Sequence, residues 1–326
     1  MKLDKQYLNG SQQFNYKVKN KMFERKSLDW GEGKTSFIEI FDNPDKPGFQ
    51  FAHATGFNAL TYKELLEPLS DSFNVRAVDA RGHGFTELEA NPQDMYDWKI
   101  YCDDLIKSVE IFVEKAQKPI ILSGHSMGAA SAIQVAAIRP DLVSGLVLLD
   151  PVLMTNKIKV IFKIARKYPF FKNFPIIKQG MMMSEGTKKR RRNWKDKDEI
   201  FNSYKKKLIF KTWTETTIKN YIEGGTEIKG EEISLTCDPL WEAATFSSWK
   251  HDAMGLIDKL NCPITLLQAE FNSTARGNGP MKLMQQDKNG VHRIVKGSSH
   301  FLPMEFPQII IKEINSLQMR INNEKK

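Results

Sequence analysis

Cysteines and long hydrophobic runs are scarce in this chain of 326 residues. The three cysteines, Cys102, Cys237 and Cys262, are widely spaced and odd in number, which fits neither a disulfide framework nor a zinc site. This usage favours a reducing compartment, so we expect a cytoplasmic protein. No apolar run reaches the roughly 18 residues of a membrane-spanning helix. Residues Met1–Gly10 contain no hydrophobic signal core, so we do not expect secretion by the usual route.

Charge is unevenly distributed along the chain. Its hydrophobic content of 41% and charged content of 27% are typical of a soluble globular protein, and its net charge is +9. Residues 157–207 contain 17 Lys and Arg against 4 Asp and Glu, a net charge of +13, which leaves −4 for the rest of the chain. The basic character therefore belongs to one segment, and the chain length suits one domain with an insertion.

Short apolar runs alternate with helix-length segments, which predicts βαβ units and a mostly parallel sheet. The predicted strands are Ser36–Phe41, Phe49–His53, Val75–Asp79, Pro119–Ser123, Leu146–Leu149, Ile264–Gln268 and Val291–Val295, and the predicted helices are Leu60–Leu69, Asp97–Lys115, Met127–Ile138, Gly279–Gln286 and Pro307–Asn322. The alternation stops between about Val152 and Lys250. We therefore predict a core domain of residues 1–151 and 251–326, with a basic, mainly helical cap at residues 152–250.

The segment Gly124-His125-Ser126-Met127-Gly128 carries the clearest chemical signal. It lies between an apolar predicted strand and a predicted helix that begins with small residues. A serine in a GxSxG turn of this kind has a strained backbone, and the two glycines leave room for it. The five-residue pattern alone occurs by chance, but its position between strand and helix predicts Ser126 as a nucleophile.

A serine hydroxyl needs an adjacent base, and His300 follows the last predicted strand in a loop, where such a base is expected. The other five histidines have structural interpretations. His125 is in the turn of the nucleophile and points away from it, His53 ends a strand, His83 lies in a glycine-rich turn, and His251 and His292 are surface positions. We therefore predict His300 as the general base.

The carboxylate that orients the base has two candidates. Asn272 occupies the position after the seventh strand where an aspartate is commonly found, and an amide cannot supply the charge. Glu270 is two residues earlier, while Asp150 ends the preceding strand of the core and could approach the histidine from there. Asp150 followed by Pro151 is also a plausible start for the first turn of the insertion. The sequence leaves this choice open.

Two backbone amides are needed to stabilise the oxyanion of an acyl-transfer reaction. The Met127 amide, next to the nucleophile and first in a helix, is one candidate. The loop after the third strand contains Gly56, and we predict the Phe57 amide as the second donor, with Asn58 as the alternative. A plain strand-to-helix loop is the other interpretation of this segment.

Together these motifs resemble the α/β-hydrolase fold superfamily, in its cap-bearing serine branch. The resemblance covers residues 35–155 and 255–320, and rests on Phe51–Phe57, Val78–Gly84, the Ser126 turn, Leu146–Pro151 and Gly297–Met304, in that order. It implies a mostly parallel sheet flanked by helices, a cap after the sixth core strand, and a bracing role for Asp79 and Arg81. It implies no metal or organic cofactor. Because the nucleophile is a serine, the haloalkane dehalogenase and epoxide hydrolase branches are not indicated.

The resulting prediction is a serine hydrolase that cleaves a carboxylic ester or thioester of a small molecule, lipids included, through an acyl-enzyme on Ser126. A carbon–carbon bond hydrolase with the same triad, or a non-catalytic ligand-binding homologue, are the alternatives. Residues 157–168 alternate basic and apolar side chains, with Phe162 and Ile164 among the latter. This helix either contacts an anionic membrane or presents a solvated basic face. We expect no nucleic-acid partner, because the basic runs lack interleaved aromatic residues.

Overall fold

A mixed eight-stranded sheet forms the centre of the fold. This computed structural model describes residues 22–168, 175–248 and 250–324. The strands of the sheet are β1 (Glu24–Asp29), β2 (Lys34–Ile40), β3 (Gly48–Ala52), β4 (Asn74–Asp79), β5 (Ile120–His125), β6 (Val143–Leu149), β10 (Ile264–Ala269) and β11 (Val291–Val295), and a second sheet contains β7 (Asn193–Trp194), β8 (Thr226–Lys229) and β9 (Glu232–Leu235). The strand order is β1-β2-β4-β3-β5-β6-β10-β11. The β1–β2 and β2–β4 pairs are antiparallel. The neighbouring pairs from β4 to β11 in this order are parallel.

Helices cover both faces of this sheet. The helices of the described residues are α1 (Lys63–Leu66), α2 (Lys99–Ala116), α3 (Met127–Ile138), α4 (Asn156–Lys167), α5 (Pro175–Lys188), α6 (Lys197–Lys205), α7 (Glu215–Gly224), α8 (Pro239–Phe246), α9 (Ala253–Leu256), α10 (Gly279–Met284), α11 (Leu302–Glu305) and α12 (Pro307–Glu324), of which α4 to α8 belong to residues 152–250, between β6 and β10. Buried residues of α2, α3 and α9 belong to one hydrophobic cluster, and those of α1, α11 and α12 belong to the other. The sheet is thus buried on both faces, which explains why its strands are short apolar runs.

All seven predicted strands coincide with strands of the large sheet, and the predicted α/β-hydrolase architecture is confirmed. Strand β1 was not predicted, since its sequence ERKSLD is mostly polar and its residues are largely exposed at the sheet edge. The predicted helix Leu60–Leu69 is interrupted: 3₁₀ turns at Ala59–Tyr62 and Pro68–Asp71 flank the short α1. Pro68 lacks the N–H that a continuous helix would require at that position.

The segment between β6 and β10 contains α4 to α9 and the small sheet β7-β9-β8; we call residues 152–250 the insertion. The sequence predicts mainly helical structure for this segment, and the small sheet departs from that prediction. Residues 226–235 alternate polar and apolar side chains around Gly230, whose φ of +64° forms the hairpin turn, so the signal for this hairpin is present in the sequence. Three aromatic residues of the insertion, Phe170, Phe171 and Phe174, lie outside the described residues.

Side-chain caps define where several helices of the insertion begin. Asp196 Oδ1 accepts from the Glu199 amide at 2.7 Å at the start of α6. Thr214 Oγ1 accepts from the Thr217 amide at 2.9 Å at the start of α7. Asp238 caps α8 and is followed by a proline at the first helical position. These caps satisfy amides that have no acceptor within the helix. None of the helices in the described ranges is long and apolar enough to cross a membrane.

Candidate active site

Ser126 sits in the tight turn between β5 and α3. Its φ of 57° and ψ of −112° are strained for a residue with a side chain. A Cβ on Gly124 would overlap the backbone of Gly128, and a Cβ on Gly128 would overlap the Ala52 carbonyl oxygen of the neighbouring strand. Only glycine therefore fits at either position, and this close approach holds the Ser126 side chain at the carboxyl edge of the sheet.

Ser126, His300 and Asp150 form a continuous chain of hydrogen bonds. The Ser126 hydroxyl lies 3.0 Å from His300 Nε2, and His300 Nδ1 lies 2.6 Å from Asp150 Oδ2. The three residues come from the ends of β5 and β6 and from the loop after β11. Ser126 is 8% exposed and Asp150 is fully buried. Because the Asp150 carboxylate accepts a hydrogen bond from Nδ1, the imidazole carries its proton on Nδ1. Nε2 is then available to accept the serine proton.

The Asp150 carboxylate is held by the loop that follows β10. Its Oδ1 accepts from the Ala269 amide at 3.0 Å and from the Ser273 hydroxyl at 2.6 Å, and its Oδ2 accepts from the Thr274 amide at 2.8 Å. Burial alone would raise the pKa of this carboxyl group, but the hydrogen bonds from His300, Ser273 and Thr274 outweigh burial and hold the pKa below its ordinary value. Asp150 is therefore the ionised member of the group.

Glu270, the other candidate acid, lies elsewhere. Its carboxylate accepts from Lys296 Nζ at 2.7 Å and from the Gly297 amide at 2.7 Å, and it makes no hydrogen bond to His300 within the described residues. Asn272 has a left-handed backbone with a φ of 55°, and it bends the loop so that Ser273 and Thr274 reach Asp150. The loop that commonly provides the acid thus provides hydrogen-bond donors to it.

Of the two predicted oxyanion donors, only Met127 has a suitable amide. Met127 is the first residue of α3, and the first amides of a helix have no acceptor within the helix. The Phe57 amide is already used, because it donates to the Ala54 carbonyl at 3.1 Å in a turn. Gly56, with a φ of +77°, occupies the third position of that turn, where a type II turn requires glycine. Thr55 has an amide without an acceptor among the described residues, and its Oγ1 lies 3.3 Å from Met127 Sδ.

His125 connects the two sides of the site. Its Nε2 donates to the His300 carbonyl at 2.7 Å, and its Nδ1 accepts from the Tyr62 hydroxyl at 2.8 Å. The Tyr62 oxygen in turn accepts from the Ala54 amide at 3.1 Å. Burial and the adjacent His300 together lower the pKa of His125 to about 3, so the ring is neutral. This histidine therefore braces the backbone on both sides of Ser126, a structural role in agreement with its predicted orientation.

Two other histidines brace the loop after β3. His53 Nε2 accepts from the Ala80 amide at 2.9 Å, and His83 Nε2 accepts from the Gly56 amide at 3.0 Å. Burial lowers the pKa of His83 to about 3, so this acceptor nitrogen stays unprotonated. The interpretation of His251 as a surface position is wrong. It is only 2% exposed, and its ring stacks on Trp98 with 4.5 Å between centroids.

The turn after β4 braces the same region, as the sequence suggested. Asp79 Oδ1 accepts from the Ala59 amide at 2.8 Å, just after the Ala54–Phe57 turn. Arg81 forms two hydrogen bonds of 2.9 Å with the Asp104 carboxylate of α2. Neither side chain reaches the Ser126 hydroxyl, so their part is to hold the backbone near the site.

A polar cluster of the insertion contacts the turn at Gly56, and sequence reasoning missed it. Arg190 donates to Glu242 Oε2 at 2.9 Å, to the Tyr204 oxygen at 3.0 Å and to the Tyr221 oxygen at 2.6 Å. The Tyr221 hydroxyl then donates to the Gly56 carbonyl at 3.0 Å. A Cβ on Gly56 would overlap Glu242. The only sequence signal was the basic run at Lys188–Arg192, which gives no indication that one of its arginines is turned inward.

Aromatic side chains from three parts of the chain meet beside His300. The ring of Trp213, from the insertion, lies 5.7 Å from the ring of Phe57 and 5.8 Å from that of Phe301. Phe301 directly follows His300 and is partly exposed, as is Phe57. Trp213 is itself buried, as are Met181, Trp194 and Phe210 of the insertion.

Comparisons with known proteins agree with this fold. A 2-(acetamidomethylene)succinate hydrolase of Mesorhizobium japonicum is 36% identical over 113 residues, which cover 35% of this chain and 38% of that protein. The monoglyceride lipase of Mus musculus is 36% identical over 107 residues, 32% of this chain and 35% of the lipase. Both matches thus span little more than a third of the relative.

The crystal structure of an E-2-(acetamidomethylene)succinate hydrolase resembles the present fold along most of its length. It superposes with a TM-score of 0.70 at 19% identity, covering 91% of this chain and 99% of that one. Residues 46–241 match the family model described as serine aminopeptidase, S33. Since this match covers more than half of the chain, the protein belongs to the serine aminopeptidase S33 family and has the α/β-hydrolase fold.

Proposed function

We propose that the protein is a serine hydrolase that cleaves carboxylic esters through an acyl-enzyme on Ser126. The observation that carries this proposal is the hydrogen-bonded chain from the Ser126 hydroxyl through His300 to Asp150, with distances of 3.0 and 2.6 Å. A strained serine, an acceptor nitrogen and a buried carboxylate are the three parts that nucleophilic catalysis by serine requires. Asp150, and not Glu270, is the acid of this proposal.

The mechanism follows from the order of these hydrogen bonds. His300 Nε2 takes the proton of Ser126 as its oxygen attacks the acyl carbon, and the Asp150 carboxylate stabilises the imidazolium that forms. The tetrahedral oxyanion accepts from the Met127 amide, and we assign the second donor to Thr55, whose amide has no acceptor in the part of the chain that the structure describes. His300 then returns the proton to the leaving alcohol. In the second half-reaction it activates a water molecule, which releases the acid.

An ester with an apolar acyl or alcohol group suits the surroundings of the site. Phe57 and Phe301 are partly exposed and present aromatic surface near His300, which favours an apolar substrate portion over a charged one. The buried ring of Trp213 packs against both of them. The insertion contributes Trp213, so we propose that residues 152–250 act as a cap over the site. Monoglyceride lipase, one of the relatives, carries a lipid ester in its name, and a lipid ester is within this substrate class. A thioester would pass through the same acyl-enzyme.

The non-catalytic alternative depended on Asn272 as a lost acid. Asp150 now stands at the expected distance from His300, so that argument no longer supports it. Hydrolysis of a carbon–carbon bond would use the same three residues, and no contact of the site favours it over ester hydrolysis. Product analysis on a substrate panel that includes both bond types separates the two reactions.

Replacement of the nucleophile tests the proposal. Ser126→Ala is expected to abolish both hydrolysis of p-nitrophenyl esters and covalent labelling by a fluorophosphonate probe. Ser247→Ala is the matched control, because its hydroxyl only donates to a local acceptor, the Ala244 carbonyl, at a helix end. Labelling that persists in Ser126→Ala, or absence of any ester turnover by the wild-type protein, would overturn the assignment.

Peripheral membrane contact and a cytoplasmic location remain part of this proposal. Helix α4 exposes Val160 and Ile164, four residues apart on one side, and carries exposed Lys157 and Lys167 beside them. The opposite side packs through Ala165. The side chain of Phe162, also expected to face lipid, lies outside the described residues. The three cysteines are all free thiols, which is consistent with a reducing compartment.

A further inference from the structure

A short turn of the insertion exposes two adjacent apolar side chains. Leu208 is 81% exposed and Ile209 is 44% exposed, at the start of the 3₁₀ turn Leu208–Phe210. We call residues 205–211 the basic turn. Single exposed apolar residues are ordinary on protein surfaces, but two neighbours in a segment of one charge sign form a patch with a definite character.

The basic turn is held in place by aromatic packing. The ring of Phe210 stacks on that of Tyr204 with 5.0 Å between centroids, and it meets the ring of Trp213 edge-on at 4.9 Å. Thr212 Oγ1 donates to Glu305 Oε1 at 2.8 Å, which fastens the end of the turn to the core. Leu208 and Ile209 thus stay exposed because their neighbours are fixed.

Lysines surround the two apolar side chains. Residues 205–211 read KKKLIFK, with four positive charges and no acidic residue. Lys205 pairs with Glu215, and Lys207 Nζ lies 4.5 Å from the centre of the Tyr204 ring. Lys206 and Lys211 are exposed and have no carboxylate partner among the described residues. A segment that combines protruding apolar side chains with unpaired cations matches the interface of an anionic bilayer, which offers hydrocarbon below a layer of phosphates.

Ile228, another exposed apolar residue of the insertion, lacks this combination of apolar side chains and unpaired cations. Ile228 is 77% exposed in the hairpin of β8 and β9, yet residues 227–232 read EIKGEE and carry a net charge of −2. Its exposure is nearly that of Leu208, but its surroundings would be repelled by anionic lipid. The charge, and not exposure alone, distinguishes the basic turn.

The basic turn is also close to the candidate active site. Trp213 follows Leu208 by five residues, which span at most about 18 Å. The ring of Trp213 lies 5.8 Å from that of Phe301, the neighbour of His300. We infer that the basic turn docks the protein on the surface of an anionic lipid bilayer, with Leu208 and Ile209 in the interface and Lys206 and Lys211 at the lipid phosphates. This places the site of the proposed function beside the membrane, where a lipid ester is available.

Vesicle co-sedimentation of the full chain tests the inference. Vesicles of phosphatidylcholine with phosphatidylserine are compared with phosphatidylcholine alone at about 0.1 M salt, where the Debye length is about 10 Å. Wild type is expected to sediment with the anionic vesicles and to be released at high salt. Leu208→Asp combined with Ile209→Asp is expected to weaken binding at least about tenfold, a loss that matches two apolar side chains leaving the interface. Lys206→Glu combined with Lys211→Glu is expected to do the same.

Two controls make the result specific. Ile228→Asp should sediment as wild type does, because its hairpin carries the opposite charge. Hydrolysis of a soluble p-nitrophenyl ester should be unchanged in all these variants, which shows that they fold and separates this test from that of the proposed function. Binding to vesicles is measured without turnover, so it stands even if no ester is hydrolysed.

Any of four results would overturn the inference. The first is sedimentation of the Leu208 and Ile209 double variant at the wild-type level. The second is equal binding to neutral and anionic vesicles. The third is loss of binding only when Val160 and Ile164 of α4 are changed to Asp, which would assign the contact to that helix. The fourth is binding of the basic turn to a soluble acidic peptide but not to vesicles.

Discussion

The Tyr221 hydroxyl donates a 3.0 Å hydrogen bond to the carbonyl oxygen of Gly56. It joins the insertion to the turn that precedes α1, and the Gly56 amide on the same residue is held from the core side by His83 at 3.0 Å. The turn is therefore fixed from two directions. Since Thr55, which we propose as the second oxyanion donor, directly precedes Gly56, the position of its amide depends on a residue of the insertion.

Tyr221→Phe is expected to lower kcat for a p-nitrophenyl ester roughly tenfold with KM little changed, because one hydrogen bond of about 1 kcal/mol that positions the turn is lost. Tyr204→Phe is the matched control. Its hydroxyl also accepts from Arg190, at 3.0 Å, but makes no contact with Gly56. Steady-state kinetics of both variants measure the effect. Equal losses in the two variants, or a loss in KM alone, would show that Tyr221 does not act through the turn.

Asp150→Asn is expected to reduce kcat by about three to four orders of magnitude, because the amide stabilises neither the Nδ1–H tautomer nor the imidazolium of His300. Glu270→Gln is expected to change kcat less than about twofold, since its loss breaks only a hydrogen bond to an exposed lysine and one to a backbone amide. Both variants are assayed on esters of graded length. A larger loss in the Glu270 variant would reverse the assignment of the acid.

The sequence left the choice between these two acids open for a physical reason. Asp150 is 150 residues from His300, and the two meet only because β6 pairs with β10 in a register that places Leu149 opposite Leu267. The Asp150 amide extends that register by donating to the Leu267 carbonyl at 2.8 Å. Local patterns predict strands, but they do not specify the register between strands so far apart.

The turn at Ser126 and the strand before it were predictable, because they depend on neighbours in the chain. GxSxG, the preceding apolar run and the following small residues lie within about 20 residues, and each has a local steric reason. The free amide of Thr55, which we propose as the second oxyanion donor, could not be predicted from the sequence. Gly56 predicts a turn, but whether Phe57 or Thr55 keeps a free amide depends on the turn type, and that depends on Tyr221 and His83 packed against it.

The glycines of the turn around Ser126 provide a stability test. Gly128→Ala is expected to destabilise the protein by roughly 3 kcal/mol or more, because its Cβ would overlap the Ala52 backbone, which cannot give way without distorting β3. Gly186→Ala is the matched control. It lies in helix α5 with open space around it, and should be neutral or up to about 1 kcal/mol stabilising. Urea unfolding followed by circular dichroism measures both. A Gly128 variant as stable as wild type would contradict the close packing.

The buried His251 predicts how stability depends on pH. Burial, with a smaller contribution from Lys159, lowers the pKa of this imidazole to about 3 against the opposing charges of Asp252 and Asp97. Neither ring nitrogen has a hydrogen-bond partner among the described residues. In the unfolded chain the group titrates near pH 6.5. Between about pH 6.5 and 3 the unfolded state therefore binds the extra proton, so the contribution of His251 to stability is intact above that window and falls with pH inside it.

His251→Phe removes this titration while it keeps a ring to stack on Trp98. At neutral pH the variant is expected to be about as stable as wild type, because no hydrogen bond is lost. At about pH 5 the free energy of unfolding of wild type should be about 2 kcal/mol lower than at neutral pH because of this histidine. This value follows from the ratio of protonated to neutral imidazole in the unfolded chain. The variant should not show this loss. Urea unfolding of both proteins at several pH values measures the difference. Parallel stability curves for the two proteins would show that His251 is not kept neutral by the fold.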